Sequence, residues 1–252
     1  AGLVKAAFSS DKAIEAHDRW CRDNEVSVIL HGDADYPLLV AQLGAPPAVL
    51  WVKGRLPEQT MPLCALVGSR AASHYGRRVV KELVPALVAH GIATVSGGAL
   101  GVDSWVHEET IKAGGITVAV MGAGLEHTYP ASNADLFAQI VQSGGALISP
   151  FPPSLPPSQG TFPARNRIIA GLAVACIVVQ AAEKSGALIT AAQALEENRE
   201  VGAVPGPIDD VLSRGTNKLL RDGARVILDA AAAVELCGGS GYVGRVCNIA
   251  SD

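Results

Sequence analysis

The densest polar cluster in the chain is Phe162-Pro163-Ala164-Arg165-Asn166-Arg167, which runs straight into the apolar stretch Ile168–Leu172. Arginines beside one aromatic ring form a combination that holds single-stranded nucleic acid. The guanidinium groups neutralise phosphates and the ring offers a stacking surface to a base. Arg165 and Arg167 fall on different faces of a helix, so this spacing does not bring both to one ligand. A Phe at such a place is also an ordinary core anchor, with solvated arginines behind it. Both readings stand at this level.

Two further stretches place glycine where a strand gives way to a helix. They are Gly68-Ser69-Arg70 and Ser96-Gly97-Gly98. Glycine there lets backbone N–H groups approach an anion, and the following helix adds a favourable dipole. Tight turns of this kind need glycine with or without a ligand. Arg70 tips the balance, because a guanidinium just past such a turn is a natural phosphate fork. Ser185 and Gly186 open another helix, with Thr190 in its first two turns, and its capped N-terminus can take a phosphate. Asp103 and His107 share a helix face. With no nucleophile or metal partner in view, local hydrogen bonding for the Asp and packing for the His are the expected roles.

Several chemistries lack their residues. Met121-Gly122-Ala123-Gly124 has no third glycine, and Ile116–Val120 offers no acid for a ribose. The phosphate-loop pattern GxxxxGK[ST], the zinc pattern HExxH and the nucleophile turn GxSxG are absent from the sequence. The expectation is a binding protein without catalytic turnover, cofactor or metal.

The elements that must position these residues follow from composition and pattern. Of the 252 residues, 49% are hydrophobic and 17% charged, which excludes wholesale disorder. Aromatics are only 4%, so the core is built from Ala, Val, Leu and Ile. The longest near-apolar run, Ile168–Val179, is too short for a span of about 20 residues, so no membrane association is expected. The formal net charge of −4 excludes a global pull on polyanions but not a local basic cleft. Cys21, Cys64, Cys176, Cys237 and Cys247 form no CxxC pair, which points away from a disulfide framework and towards a reducing cytoplasmic compartment. No charged-then-apolar signal segment opens the sequence.

From Cys64 onward, apolar runs alternate with helical stretches. Expected strands are Cys64–Val67, Ile92–Val95, Ile116–Val120, Ala146–Ile148, Val174–Val179, Glu200–Val204 and Arg225–Leu228. Helices are expected at Tyr75–His90, Val102–Ala113, Asn133–Ser143, Ala164–Leu172, Ser185–Glu197 and Thr216–Asp222. Runs that are apolar throughout, rather than alternating, belong to strands covered on both faces. The fold class is therefore α/β: a doubly wound, mostly parallel sheet, an extended Rossmann-like fold without a dinucleotide fingerprint. Residues 1–60 read as a preface with a short helix at Ala13–Cys21 and an edge segment at Ala48–Val52. Residues 61–230 carry the Rossmann-like domain, and 231–252 a Gly-rich tail. Pro150–Pro163, with 6 of the 15 prolines, reads as a long functional or disordered loop.

Together these motifs resemble the DNA-processing protein A family, also called DprA or Smf. The matching stretches are Leu66–Arg70, Tyr75-Gly76, Val95–Asp103 with His107, Tyr129-Pro130, Phe162–Leu172, Ser185–Ala191, Arg199–Gly206 and Gly215–Ala224. The resemblance implies a protein that binds single-stranded DNA, protects incoming DNA during natural transformation and helps load the RecA recombinase, acting as a homodimer. The candidate DNA-binding set is Gly68, Ser69, Arg70, Ser96, Gly97, Gly98, Phe162, Arg165, Asn166, Arg167, Ser185, Gly186 and Thr190, with Phe162 as the base contact. The chain departs from the family at Leu100 and Ala131, which stand where basic residues are common, and at Pro150 and Gln180, which stand where Glu is frequent. A rival reading is a nucleotide-binding enzyme like the Lonely-guy-type phosphoribohydrolases, or a nucleotide-sensing module. The PGGxGT-like turn with its catalytic Glu, usual in such enzymes, is not found here.

Overall fold

The structure, a computed structural model, describes residues 11–238; residues 1–10 and the stretch 239–252, including Cys247 and most of the expected Gly-rich tail, lie outside it. The chain begins with helix α1 (Asp11–Asp23), strand β1 (Val26–Leu30), the short helix α2 (Leu38–Ala41) and strand β2 (Val49–Gly54). Then β3 (Leu63–Val67), α3 (His74–Ala89), β4 (Ala93–Ser96), α4 (Val102–Lys112), β5 (Thr117–Val120), α5 (Ala134–Gln142) and β6 (Ala146–Ser149) alternate. The second half follows with α6 (Thr161–Leu172), β7 (Ala175–Val178), α7 (Gly186–Glu196), β8 (Glu200–Ala203), α8 (Arg214–Arg221), β9 (Arg225–Val226) and α9 (Ala230–Leu236).

All these strands join one sheet in the order β1-β2-β6-β5-β4-β3-β7-β8-β9. From β6 to β9 neighbouring strands run parallel, while β1 and β2 are antiparallel additions, β2 pairing with β6. The central strand shows why the runs are apolar throughout. Leu63, Ala65 and Val67 pack into the core under α6 and α7, while Cys64 and Leu66 pack under α3 and α4. Both faces are covered, so alternation gives way to continuous apolarity. Leu66 is fully buried, and trimming it to Ala would cost about 2–5 kcal/mol.

The expected edge segment, Ala48–Val52, overlaps β2, and β2 is not at the edge. β1 takes that place, and α1 packs on this corner through Cys21, Val26, Val49 and Trp51. The described part of the preface is therefore continuous with the main sheet. Helix α6 starts at Thr161, three residues before the expected start, and takes up the end of the proline-rich loop. Ser158 and Thr161 bond each other there, and Pro163 sits in the first turn, where its missing N–H costs nothing. Helix α9 lies within the stretch expected as tail; its start is capped by Asp229, whose side chain accepts the Ala232 N–H at 2.8 Å.

The chain steps outward from β3 through β4 and β5 to β6, then crosses back to β7 on the other side of β3. This reversal opens a crevice at the carboxyl ends of β3, β4 and β7, the place where such sheets bind ligands.

Candidate functional site

A cleft of about 480 Å³ occupies that crevice. Its walls come from the turn after β3 (Gly68, Arg70), the turn after β4 (Ala99, Asp103), the start of α6 (Phe162, Arg165, Asn166) and the start of α7 (Ser185, Gly186, Thr190). Segments far apart in sequence meet there because four parallel strands end on the same side.

Arg165 forms the floor. It is only 4% exposed, and its Nη1 donates to the carbonyl oxygens of Gly97 and Val120. Its Nε donates to Asn166 Oδ1 at 3.2 Å. Burial draws its pKa down to about 10, the Arg70 charge adding and the Asp103 carboxylate opposing, so it keeps its charge at neutral pH. Asp103, also buried, accepts N–H groups from Gly97 (3.2 Å) and Ala99 (3.3 Å). Burial raises its pKa, while Arg165 and these N–H donors pull the other way.

This arrangement assigns the second glycine turn a role different from an amide cradle. The N–H groups of Gly97 and Ala99 point at Asp103, not at the cleft. Gly97 is required for space: a Cβ there would lie 2.7 Å from both Arg165 Nη atoms and from Asp103 Oδ2. Gly98 turns the chain at φ +65° with its carbonyl held by Asn133 Nδ2 at 2.9 Å. Ser96 is buried and donates to the Leu66 carbonyl at 2.7 Å. These three residues hold the floor and do not line the cleft.

Ser69 also stays behind the wall; its N–H donates to the Gln180 carbonyl at 2.7 Å and its Oγ accepts the Ala71 N–H. Gln180 is buried, and its side chain bonds Ser73 and Asp210, which pins the turn after β3 against the loop before α8. Arg167 lies elsewhere, as its helix face requires. It pairs with Glu197 at 2.9 Å and donates to the Ala45 carbonyl, tying α6 to α7 and to the α2 corner. At the start of α7, Ser185 Oγ accepts the Ala187 N–H at 3.3 Å, Thr190 is buried with its Oγ1 3.5 Å from the Gly186 carbonyl, and Gly186 is exposed.

The rim is aromatic and cationic. Phe162 is half-buried and so is not a core anchor. The Arg70 guanidinium lies over its ring, 5.4 Å from the centroid, and the Tyr129 ring sits 5.6 Å away, tilted by 45°. Tyr129 is 44% exposed and was not among the expected site residues, nor was Gln159, which lines the cleft at the end of the proline-rich loop. The Tyr129-Pro130 pair stood out only as one of the stretches that resemble the family; nothing in the pattern marked Gln159.

Beneath the floor His107 is fully buried. Its Nδ1 lies 2.7 Å from Thr117 Oγ1, itself bonded to Thr94, and its Nε2 has no hydrogen-bond partner among the described residues. Burial first, and the Arg165 charge second, lower its pKa to about 3, so it stays neutral. The expected packing role for His107 and local bonding for Asp103 match this geometry. No cluster of metal-ligating side chains occurs among the described residues, nor any helix long and apolar enough to cross a membrane.

A doubly wound sheet with a cationic, aromatic-rimmed cleft at its switch point defines a Rossmann-type protein. Residues 27–238 match the family model described as DNA recombination-mediator protein A. The chain belongs to this family, the one its motifs resemble. It is 42% identical to Protein Smf of Synechocystis over 200 residues, which is 78% of this chain and 50% of that protein. It is similar in structure to DNA processing protein A of Streptococcus pneumoniae, with TM-score 0.79 and 36% identity, covering 86% of this chain and 77% of that one. It is also similar to DNA processing protein A of Helicobacter pylori, whose structure is described as giving insight into a unique single-stranded DNA binding mode. That match has TM-score 0.73 and 26% identity and covers 89% of this chain and 96% of the other. The chain spans 50–60% of the length of curated relatives such as the Synechocystis and Escherichia coli Smf proteins.

Proposed function

We propose that the carboxyl-end cleft binds single-stranded DNA, and that the protein protects incoming strands during natural transformation and helps load RecA, as a homodimer in the cytoplasm and without catalytic turnover. One observation carries the DNA-binding reading. Arg70 and Arg165 converge on a single cleft whose rim presents Phe162 and Tyr129. Two guanidinium groups supply phosphate neutralisation, and the rings supply stacking surfaces that only unpaired bases can reach. Contacts of this kind read backbone and base faces, so sequence preference is low. The family membership and the single-stranded DNA binding mode described for the Helicobacter pylori protein support the same reading. Of the expected set, Gly68, Arg70, Phe162, Arg165, Asn166, Ser185, Gly186 and Thr190 make the contacts. Ser69, Ser96, Gly97 and Gly98 support the walls, and Arg167 braces α6 against α7.

The test is binding of a fluorescent homopolymeric strand across a salt series, beside the matching duplex. Two phosphate contacts set a slope of log affinity against log salt of about −1.4 for a single strand in one cleft. Tight binding that prefers the single strand is the expected result. Equal affinity for duplex, or no binding at low salt, overturns the reading.

A further inference from the structure

Phe162 and Arg70 are in each other's way. The ring is the surface offered to a base, and the Arg70 guanidinium lies over it, 5.4 Å from the centroid, with the Tyr129 ring 5.6 Å away. The backbone at Gly122 closes another side, since a Cβ there would lie 2.6 Å from Phe162 Cδ1. Arg70 itself is exposed and has no carboxylate partner among the described residues. The cation that would take a phosphate is therefore resting on the ring that would take a base.

The two contacts differ in strength. An exposed cation–π pair is worth about two- to fivefold in an equilibrium. A base stacked on an aromatic side chain is worth about five- to 150-fold. A base therefore displaces the guanidinium, and the guanidinium, one side chain away, is left free beside the phosphate flanking that base.

We propose that the Arg70–Phe162 stack is a specificity device: a nucleobase takes the ring and thereby hands Arg70 to the adjoining phosphate, so the cleft selects polyanions that carry bases over those that do not. A chain of phosphates without bases must pull Arg70 off the ring and leave the ring bare. This inference rests on the strand-binding reading of the same cleft.

The experiment uses the full chain, a labelled oligothymidylate and an abasic strand of equal length built from tetrahydrofuran units, at one fixed salt concentration. The parent protein is expected to prefer the thymidylate by about tenfold or more. Phe162→Leu removes the ring and frees Arg70. Its thymidylate affinity falls, while its abasic affinity rises about two- to fivefold. Phe162→Met, which keeps the volume against Gly122, is expected to behave alike, and Phe162→Tyr to behave like the parent. A direct readout is the Arg70 Nε–H resonance, shielded by the ring in the free protein. Thymidylate moves it out of the ring current in the parent. In Phe162→Leu the same resonance is unshielded before any strand is added.

A rise in abasic affinity on losing the ring is not something a purely structural Phe162 produces. If Phe162→Leu and Phe162→Met bind the abasic strand no better than the parent does, the exchange is wrong, although strand binding itself survives. If the parent binds neither strand, the strand-binding reading fails and takes this proposal with it.

Discussion

Two hollows of similar size, among the described residues, lie at opposite ends of the same strands and differ in character. The carboxyl-end cleft holds about 480 Å³ and the amino-end cavity about 410 Å³. Leu56, Met61, Leu63, Leu172 and Leu236 make the second one apolar, and Asp35, Glu58, Glu200 and Glu235 give it an acidic rim. Arg199 and Arg225 are there too, but Arg225 is paired with Glu235 at 3.1 Å and Arg199 donates to the Leu39 carbonyl at 2.9 Å. Leu172 and Leu236 are also the last residues of α6 and α9, so helix carbonyl ends face this cavity. At the other end, α6 and α7 begin, Arg70 has no carboxylate partner among the described residues, and Arg165 is held charged in the floor. In a sheet of parallel βα units every helix that follows a strand starts at the carboxyl end, so one end gathers helix N-termini and the other helix C-termini. Strand polarity makes only one of the two hollows suited to a polyanion, whatever their apolar content.

The sharpest way to break that contrast is to remove the charge buried beneath the cleft. Arg165→Ala leaves the Gly97 and Val120 carbonyls without their donor and Asp103 without its cation. Leaving a buried carboxylate without its neighbouring cation and two buried carbonyls without a donor costs about 3–5 kcal/mol, read as a lower urea midpoint at unchanged m-value. Arg70→Ala is the exposed counterpart. It should leave stability within about 0.5 kcal/mol of the parent while flattening the strand-binding salt slope by about 0.7. If Arg165→Ala is as stable as Arg70→Ala, the floor does not depend on a buried ion.

A smaller effect concerns the histidine under the same floor. In the unfolded chain His107 protonates below about pH 6.5, while in the folded protein it stays neutral down to about 3. The unfolded state therefore binds the extra proton, and stability is lost as pH falls through the window between those values. Between pH 8 and 5 the loss from this one group is about 2 kcal/mol. Urea unfolding at both pH values measures it. His107→Gln, whatever its own baseline, is expected to show a pH slope smaller by that amount. An unchanged slope would mean that His107 is solvated or charged in the folded protein.

How much of this was legible beforehand differs between the two ends. The run from β3 to β8 could be read because strands covered on both faces are apolar without alternation, and each is followed by a helix with a 3.6-residue period. β1 escaped because Ser27 and its half-buried neighbours give a five-residue strand no distinctive pattern beside α1. Arg70, Arg165 and Phe162 stood out by type and place. The split between cleft wall and support did not. Ser96 and Gly97 look in sequence like a phosphate cradle, and only the fold shows Asp103 taking the Gly97 N–H and Arg165 taking its carbonyl. Arg167 could be separated from Arg165 by helix geometry, but its partner Glu197 is 30 residues away and had no local signal. The amino-end cavity was invisible, since its rim is assembled from loops that follow unrelated elements.

The finest test of the comparison adds the same residue at each end. Leu100 is 48% exposed and adjoins Ala99 in the cleft wall, at a place where the family resemblance implies a cation. Leu100→Arg adds one positive charge beside the proposed phosphate path. It should raise strand affinity several-fold at low salt and steepen the salt slope by about 0.7. Glu58→Arg, on the exposed rim of the amino-end cavity, changes the net charge by two and so alters the whole molecule's charge more. A strand of four or five residues spans about 13–17 Å, longer than the Debye length of about 8 Å at physiological salt. Glu58→Arg should therefore change strand affinity less than twofold there, with no change of slope. Equal gains from the two variants would mean that net charge governs binding and that the cleft confers no local advantage. A gain confined to Leu100→Arg would place the strand beside the turn after β4.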